Sequence, residues 1–293
     1  RWLPGSTHVF PALGDSLLVH AVAGASMAEQ AQLALGRLGD ERLLTVVPDP
    51  DPTALAALAA RTDRLDHQRL ALRHPTSRPD ELLTRLTTDT ARTLWSELKD
   101  LLRRRPTPTL ARRFSDWGIQ DPKLLILLEK TARTDDAELA TAAVVTAARL
   151  GADPDPALRL LQRRLGENGW CLEEAGRLGA AAAPLLSLTE DYLTDGDEWT
   201  RMRAAEAHWR ITGDASKAVP VLTSLAGPSP VGVRALQTLL LIGPPIPPHL
   251  QPQLQRWASA ERRLVSSSGL IFPGTELRPL DDQLQKTARQ MLA

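Results

Sequence analysis

The sequence predicts an all-α fold, an α-solenoid of antiparallel helix pairs, on three observations. Alanine-rich helical segments end in an aliphatic residue and a glycine at Gly39, Gly151, Gly179, Gly213 and Gly243. The last four glycines are spaced by 28, 34 and 30 residues, a period typical of helical-repeat proteins. No strand-like alternation of useful length occurs, and 23 prolines separate short segments rich in Ala and Leu.

The first helix pair is expected within residues 14–60. Residues 1–13 lack helical periodicity, and a helix over SLLVHAVAG follows Asp15. The segment MAEQAQLALGRLG predicts a second helix that stops at Gly39, because glycine adopts the left-handed conformation without steric cost. Asp40 is expected to cap a third helix, ERLLTVV, which ends at the proline-containing turn 48–52.

Residues 61–108 predict a different helical unit. A short helix is closed by Pro75, and Pro79 lies in the first turn of DELLTRL, where its missing N–H costs nothing. The run TARTLWSELKDLLRRR, residues 90–105, is expected to be helical up to the turn PTPT.

Helical periodicity continues through the second half of the chain. Within residues 198–212, Met202, Ala205 and Trp209 recur with helical spacing and predict one buried stripe. Helices are expected over 109–117, 122–134, 136–150, 155–165, 170–178, 182–194, 198–212, 215–226, 230–242, 248–264 and 277–292.

Two segments of this half resemble HEAT-repeat proteins, which are armadillo-like helical proteins, and in particular the actinobacterial ones. They are EEAGRLGAAAAPLLSLTEDYL (173–193) and RMRAAEAHWRITGDASKAVPVLTSL (201–225), each with an aliphatic–glycine stop and a following helix interrupted by proline. The resemblance implies a single solenoid over residues 1–293, HEAT-like over 14–60 and 109–264, with a loop and a C-terminal helix over 265–293. It also implies protein–protein interaction as the common role. Repeat families share no active site, so the resemblance implies nothing further about function.

A second resemblance covers about one repeat, residues 67–89. The pattern ALRHPTSRPDELLTRL is similar to the leucine-rich-repeat variant, another helical stack. Some members of that family carry an iron–sulfur domain on cysteines. This segment contains no cysteine, so no cofactor is implied for it.

Composition limits the function classes. Thirty-five basic and 35 acidic residues give a formal net charge of +0, which offers no overall attraction for nucleic acid or an anionic membrane. A single cysteine excludes an internal disulfide framework and indicates a reducing compartment, so we expect a cytoplasmic protein. No apolar run approaches the ~20 residues that span a bilayer. Because the chain begins with Arg1, we expect a fragment of a longer protein.

The titratable residues form no catalytic or metal-binding pattern. The six histidines are scattered, and neither a G-x-S-x-G elbow nor an H-E-x-x-H motif occurs. We interpret Cys171 as a small buried residue and His208 as a hydrogen-bonded core histidine. The acidic segments 49–52 and 153–155 are interpreted as helix-capping turns, with a calcium site as the less favoured alternative. We therefore expect no enzyme, no metal and no cofactor.

A basic segment is the first candidate for a binding surface. Between residues 99 and 134 nine basic and four acidic residues leave a local charge of +5. The arginines 103–105 also complement the negative end of their own helix, so a solvated helix terminus is the competing interpretation. The candidate partner-binding residues are Arg103, Arg104, Arg105, Arg112, Arg113 and Trp117.

Trp117 and Asp121 in the segment WGIQD suggest an alternative function. HEAT-like alkylpurine DNA glycosylases place a Trp and a catalytic Asp one helical turn apart, facing DNA. Here Gly118 and Pro122 place the pair at a turn, and Asp121 is expected to cap the following helix. Nucleic-acid binding, including such a glycosylase, therefore remains the second hypothesis.

The leading hypothesis is a non-enzymatic helical-repeat scaffold that binds a protein or peptide partner through its grooved surface. Tryptophan and arginine contribute most to interface energetics, so an exposed Trp flanked by Arg would be a candidate interface residue. The tryptophans concerned are Trp95, Trp170, Trp199 and Trp257; we expect most of them to pack between repeats, so only an exposed one would qualify. The sequence carries no signal for the oligomeric state.

Overall fold

The structure is a computed structural model, and it describes residues 11–22, 27–75, 79–167, 169–243, 245–260, 264–265 and 277–293. Within these ranges the regular elements are α-helices and short 3-10 helices, without a strand, which confirms the all-α prediction. The chain divides into two compact units, Arg1–Ala152 and Asp153–Ala293. A single continuous array of repeats over both units stays a prediction.

The first unit consists of short helices around an Ala/Leu core. Its helices are α1 (Pro11–Val22), α2 (Ala28–Leu38), α3 (Leu43–Val46), α4 (Pro52–Arg61), α5 (Leu65–Arg73), α6 (Asp80–Arg85), α7 (Thr88–Thr93), α8 (Trp95–Arg104), α9 (Pro108–Trp117), α10 (Pro122–Thr131) and α11 (Ala137–Arg149). Helix α4 packs on α2 and α5, and α9 packs on α6 and α11. Phe114 is the largest fully buried side chain in this core.

The second unit has the same construction. Its helices are α12 (Asp155–Glu167), α13 (Leu172–Leu178), α14 (Leu186–Asp191), α15 (Glu198–Thr212), α16 (Ala218–Leu225), α17 (Pro230–Ile242), α18 (Gln251–Ala258) and α19 (Leu277–Leu292). Helix α15 is central, because it packs on α13, α14, α16 and α17. Helix α19 packs on α17 and α18.

Several predicted helix ends agree with the structure, but the one at Asp40 does not: α3 begins at Leu43, and its N-cap residue is Arg42, without a side-chain cap. All five stop glycines have positive φ, and Gly39, Gly213 and Gly243 are left-handed C-caps. The side chains of Asp51 and Asp121 accept hydrogen bonds from the first backbone N–H groups of α4 and α10. These two aspartates are therefore N-caps.

Some predicted bounds are wrong. The run 90–105 belongs to two helices, α7 and α8, which meet at Leu94. The helix expected over 182–194 is replaced by a 3-10 helix, Gly179–Leu185, followed by α14; Pro184 lacks the N–H that an α-helical bond needs there. Helix α1 begins at Pro11, within a segment expected to be irregular. Of the irregular loop expected over 264–276, only residues 264–265 lie within the described ranges.

Candidate partner-binding site

The predicted arginines at the end of α8 differ in their surroundings. Arg103 is exposed and forms no ion pair within the described residues. Arg104 pairs with Asp100 at 2.7 Å and also donates to the backbone carbonyl of Leu72 at 3.2 Å. Arg105 donates to the carbonyl of Pro75 at 2.8 Å. Arg104 and Arg105 therefore bind the backbone at the end of α5.

The two predicted arginines of α9 also have intramolecular partners. Arg112 pairs with Glu138 of α11 at 2.9 Å. Arg113 donates to the carbonyl oxygens of Leu83 and Leu86, at 3.0 and 2.9 Å. Because carbonyl oxygens at the end of α6 have no partner within their own helix, Arg113 supplies the missing donors.

Trp117 lies in the core of the first unit, with 4% of its surface exposed. Its indole N–H donates to the carbonyl of Leu86 at 3.2 Å. The ring packs edge-to-face on Phe114 at a centroid distance of 5.6 Å, and the guanidinium of Arg113 lies 5.2 Å from its centroid. This placement corrects the expectation that Trp117 offers an accessible contact surface. Whether the exposed arginines of this region bind a partner stays a prediction.

Asp121, the other half of the Trp–Asp pair, is held by three donors. Its carboxylate accepts from Nζ of Lys99 at 2.6 Å, Nε1 of Trp95 at 2.8 Å and the backbone N–H of Lys123 at 2.8 Å. Burial by itself would raise the pKa of Asp121, but these donors lower it to about 2. A carboxylate with this pKa and three partners is a structural ion and a weak base.

A groove with a volume of about 320 Å³ lies in the second unit. Its walls are formed by α13, α15, α17 and α19. The lining side chains combine an exposed aromatic ring, an apolar floor, two arginines and two glutamates. They are Glu173, Trp199, Met202, Arg203, Glu206, Pro230, Val233, Arg234, Gln237, Leu280 and Gln283.

Trp199 is the exposed aromatic residue of this groove, with 40% of its surface accessible. It lies in the first turn of α15, which begins where the carboxylate of Asp197 accepts the backbone N–H of Thr200 at 2.7 Å. One turn later, the guanidinium of Arg203 lies 5.6 Å from the centroid of the Trp199 ring. The spacing of four residues places both side chains on the same helix face.

Glu206 organises the charged end of the groove from a buried position, with 7% of the residue exposed. Its carboxylate accepts from Nη2 of Arg210 at 2.8 Å and from Nη2 of Arg234 at 3.2 Å. The hydroxyl of Thr238 donates to the same carboxylate at 3.5 Å. The interactions of Arg234 and Thr238 connect α15 to α17 and fix the orientation of Arg234.

The floor of the groove is apolar. Met202 and Val233 are buried, and Pro230 and Leu280 are half-buried. The side-chain amide of Gln237 donates to Oε1 of Gln283 at 3.2 Å, which connects α17 to α19. An apolar surface with polar groups at its edge is the usual composition of a recognition site.

The sequence indicated part of this site. Trp199 was one of the tryptophans that would qualify if exposed beside an arginine, and the structure places Arg203 over its ring. Arg203 and Arg234 were not predicted as binding residues. The signal that could have found Arg203 is the segment WTRMR, which places it four residues after Trp199.

The residues considered for nucleophilic or base chemistry are structural. Cys171 is fully buried, as predicted. His208 is 3% exposed, and its Nε2 lies 3.2 Å from the carboxylate of Glu190, which also accepts from Lys217 at 2.7 Å. The prediction of a hydrogen-bonded core histidine is confirmed. Among the described residues, no three His, Cys, Asp or Glu side chains are grouped so that they could hold a metal ion.

Across the described ranges, none of the helices combines the length and the apolar character that crossing a membrane requires. Comparisons of the chain with protein-family models, with curated proteins and with solved structures find no match.

Proposed function

We propose that this chain is a non-enzymatic helical-repeat scaffold of the HEAT type, an α-solenoid of antiparallel helix pairs, that binds a protein or peptide partner. The proposal extends to a cytoplasmic location, on the basis of the single cysteine. Support for the repeat type comes from short helices that pack on successive neighbours, as α15, α16 and α17 do. Of these three, α15 and α17 end at glycines with positive φ.

The single observation that carries the binding proposal is the exposed Trp199 beside Arg203 in the groove of the second unit. Large aromatic side chains are usually buried, and an exposed one in a concave surface is typical of an interface residue. Met202 and Val233 provide a preformed apolar floor below it. Binding a partner side chain there would cost the protein little conformational entropy, because the groove is already formed.

A library of random peptides displayed on phage, selected against the immobilised full chain, tests this function. We expect enriched peptides whose affinity falls by about tenfold or more on Trp199→Ala, since hot-spot residues contribute about 2 kcal/mol or more. Leu241→Ala is the matched control, because Leu241 lies on α17, is 65% exposed and is outside the groove lining. A selection without enrichment, or equal affinity for both variants, would contradict the proposal.

The glycosylase alternative has less support. The two residues that suggested it are Trp117, buried at 4% exposure, and Asp121, whose carboxylate is held by Lys99 and Trp95. An aspartate that must accept a proton or activate water needs access to the substrate and a pKa near the working pH. For these reasons the peptide-binding function is the one we propose.

A further inference from the structure

Arg203 differs from the other arginines at the groove in its charge partners. Arg210 and Arg234 are both paired with Glu206, at 2.8 and 3.2 Å. Within the part of the chain that the structure describes, Arg203 forms no ion pair; its recorded contact is with the ring of Trp199. The carboxylate of Asp197 caps α15 at Thr200 and interacts with Arg203 through its charge alone, an interaction that contributes to the lowered pKa of Asp197. The Arg203 guanidinium therefore keeps its donors available for a ligand.

The position of Arg203 specifies the kind of anion. It shares the groove with five apolar lining residues, Trp199, Met202, Pro230, Val233 and Leu280, beside the polar ones. A guanidinium binds a carboxylate with paired hydrogen bonds, and these are stronger where apolar surface excludes water. One acidic side chain next to an apolar one matches this combination of groups.

The charge balance of the groove distinguishes between two polymers that could supply an anion. Its lining carries two glutamates, Glu173 and Glu206, and two arginines, Arg203 and Arg234, so it has no excess of positive charge. A nucleic acid carries a phosphate charge at every nucleotide and needs an excess of basic residues along its path. A peptide can place a single carboxylate at Arg203 and an uncharged segment elsewhere. Charge complementarity therefore favours a peptide.

We propose that the groove selects a peptide segment in which an acidic residue lies next to an aromatic or aliphatic residue. The carboxylate binds Arg203, and the apolar side chain packs on Trp199 over the floor formed by Met202 and Val233. This specificity rests on the proposed peptide-binding function.

The peptides enriched by selection against the full chain are the probe. We expect a consensus that pairs Asp or Glu with a large apolar residue. A synthetic consensus peptide should bind about tenfold more weakly to Arg203→Gln, in keeping with the loss of a charge-assisted hydrogen bond. Replacing the peptide's acidic residue by its amide should weaken binding to the wild type by a similar factor, with little further loss on the variant. Arg159→Gln is the control, since Arg159 is an exposed arginine of the same unit outside the lining.

A charge reversal gives a second readout that does not depend on loss of binding. Selection against Arg203→Glu should enrich Lys or Arg at the consensus position that is acidic for the wild type. Peptides that depend on Trp199 but show no acidic preference would overturn this specificity and leave the peptide-binding function standing. The absence of any enriched peptide would overturn both. A single-stranded oligonucleotide that competes with the consensus peptide, and whose binding depends on Arg203, would overturn the choice of a peptide.

Discussion

The guanidinium of Arg234 on α17 is bound by the carboxylate of Glu206 on α15, with Nη2 3.2 Å from Oε2. Glu206 is nearly buried, whereas the side chain of Arg234 is 42% exposed at the groove. A buried carboxylate thus presents a cation at the surface while it joins two neighbouring helices. The same residue, Glu206, therefore contributes to the stability of the second unit and to the shape of its groove.

Replacing Glu206 by Gln should lower the free energy of unfolding by about 1–3 kcal/mol, because two arginines lose a charged acceptor and a nearly buried polar group remains. The lower part of this range is expected, since both arginines are more than a third exposed and water can solvate their guanidinium groups in place of the lost carboxylate. Urea unfolding followed by circular dichroism measures the change. Glu173→Gln, an exposed carboxylate of the same groove, should change stability by less than about 0.5 kcal/mol, and equal effects of the two substitutions would contradict this role of Glu206.

The ion pair of Asp121 with Lys99 predicts a pH dependence in the first unit. The pKa of Asp121 lies at about 2 in the folded chain and at its ordinary value of 3.8 when unfolded. A depressed pKa contributes stability above the unfolded value, and this contribution is lost as the pH falls through 4 towards 2. Asp121→Asn should therefore destabilise the protein at pH 7 by about 1–2 kcal/mol, and by roughly half as much at pH 3.

Urea unfolding at both pH values tests this dependence. Asp89→Asn is the control, because Asp89 is 92% exposed and its replacement changes the net charge by the same amount. If Asp121→Asn destabilises the protein equally at pH 7 and pH 3, the charge of Asp121 is unimportant. The side chain would then act only as a hydrogen-bond acceptor at the N-cap.

Local chemistry made part of this structure predictable from the sequence. Glycine at the end of an alanine-rich helical segment predicted five helix ends, and aspartate before Pro predicted the caps at Asp51 and Asp121. Each of these signals depends on a few neighbouring residues. The fold class follows from such local signals, because short helices separated by Pro and Gly account for most of the chain and few residues are left to form strands.

Long-range pairing made the candidate site harder to predict. Glu206 stands among Ala204, Ala205 and Ala207, where a charged residue would be expected to face water. It is buried because an arginine of its own helix and one of α17 both reach it. Trp117 has polar neighbours in the sequence but enters the core, because the carbonyl of Leu86, 31 residues earlier, accepts its N–H. The sequence pattern of one helix does not contain such partners.

Trp117 and Trp199, each with an arginine against its ring, should differ in their contribution to stability. Trp117→Ala removes a buried ring that packs on Phe114, so a loss of about 3–5 kcal/mol is expected. Trp199→Ala removes a ring that is 40% exposed, and the expected loss is below about 1 kcal/mol. Thermal unfolding of both variants beside the wild type measures the difference. A large loss for Trp199→Ala would show that this ring supports the fold, and it would then be unsuitable as a probe of binding.

Gly36 marks a close approach of two helices in the first unit, and its substitution gives a sharp test of the packing of α2 on α4. A Cβ added at Gly36 would collide with the carbonyl oxygen of Ala54 and lie 3.0 Å from its carbonyl carbon. Backbone atoms cannot rotate away as a flexible side chain can, so Gly36→Ala should destabilise the protein by about 1–3 kcal/mol. This would occur although alanine favours an isolated helix by about 1 kcal/mol over glycine.

Gly166 in α12 is the matched control for Gly36. A Cβ at Gly166 would meet no atom within 4 Å, and Gly166 is helical like Gly36. Gly166→Ala should therefore stabilise the protein by up to about 1 kcal/mol, through the lower conformational entropy of the unfolded chain. The two substitutions add the same methyl group and should shift the urea midpoint in opposite directions. A stabilising Gly36→Ala would mean that α2 and α4 are further apart than the structure places them, because only a wider separation could accommodate the methyl group.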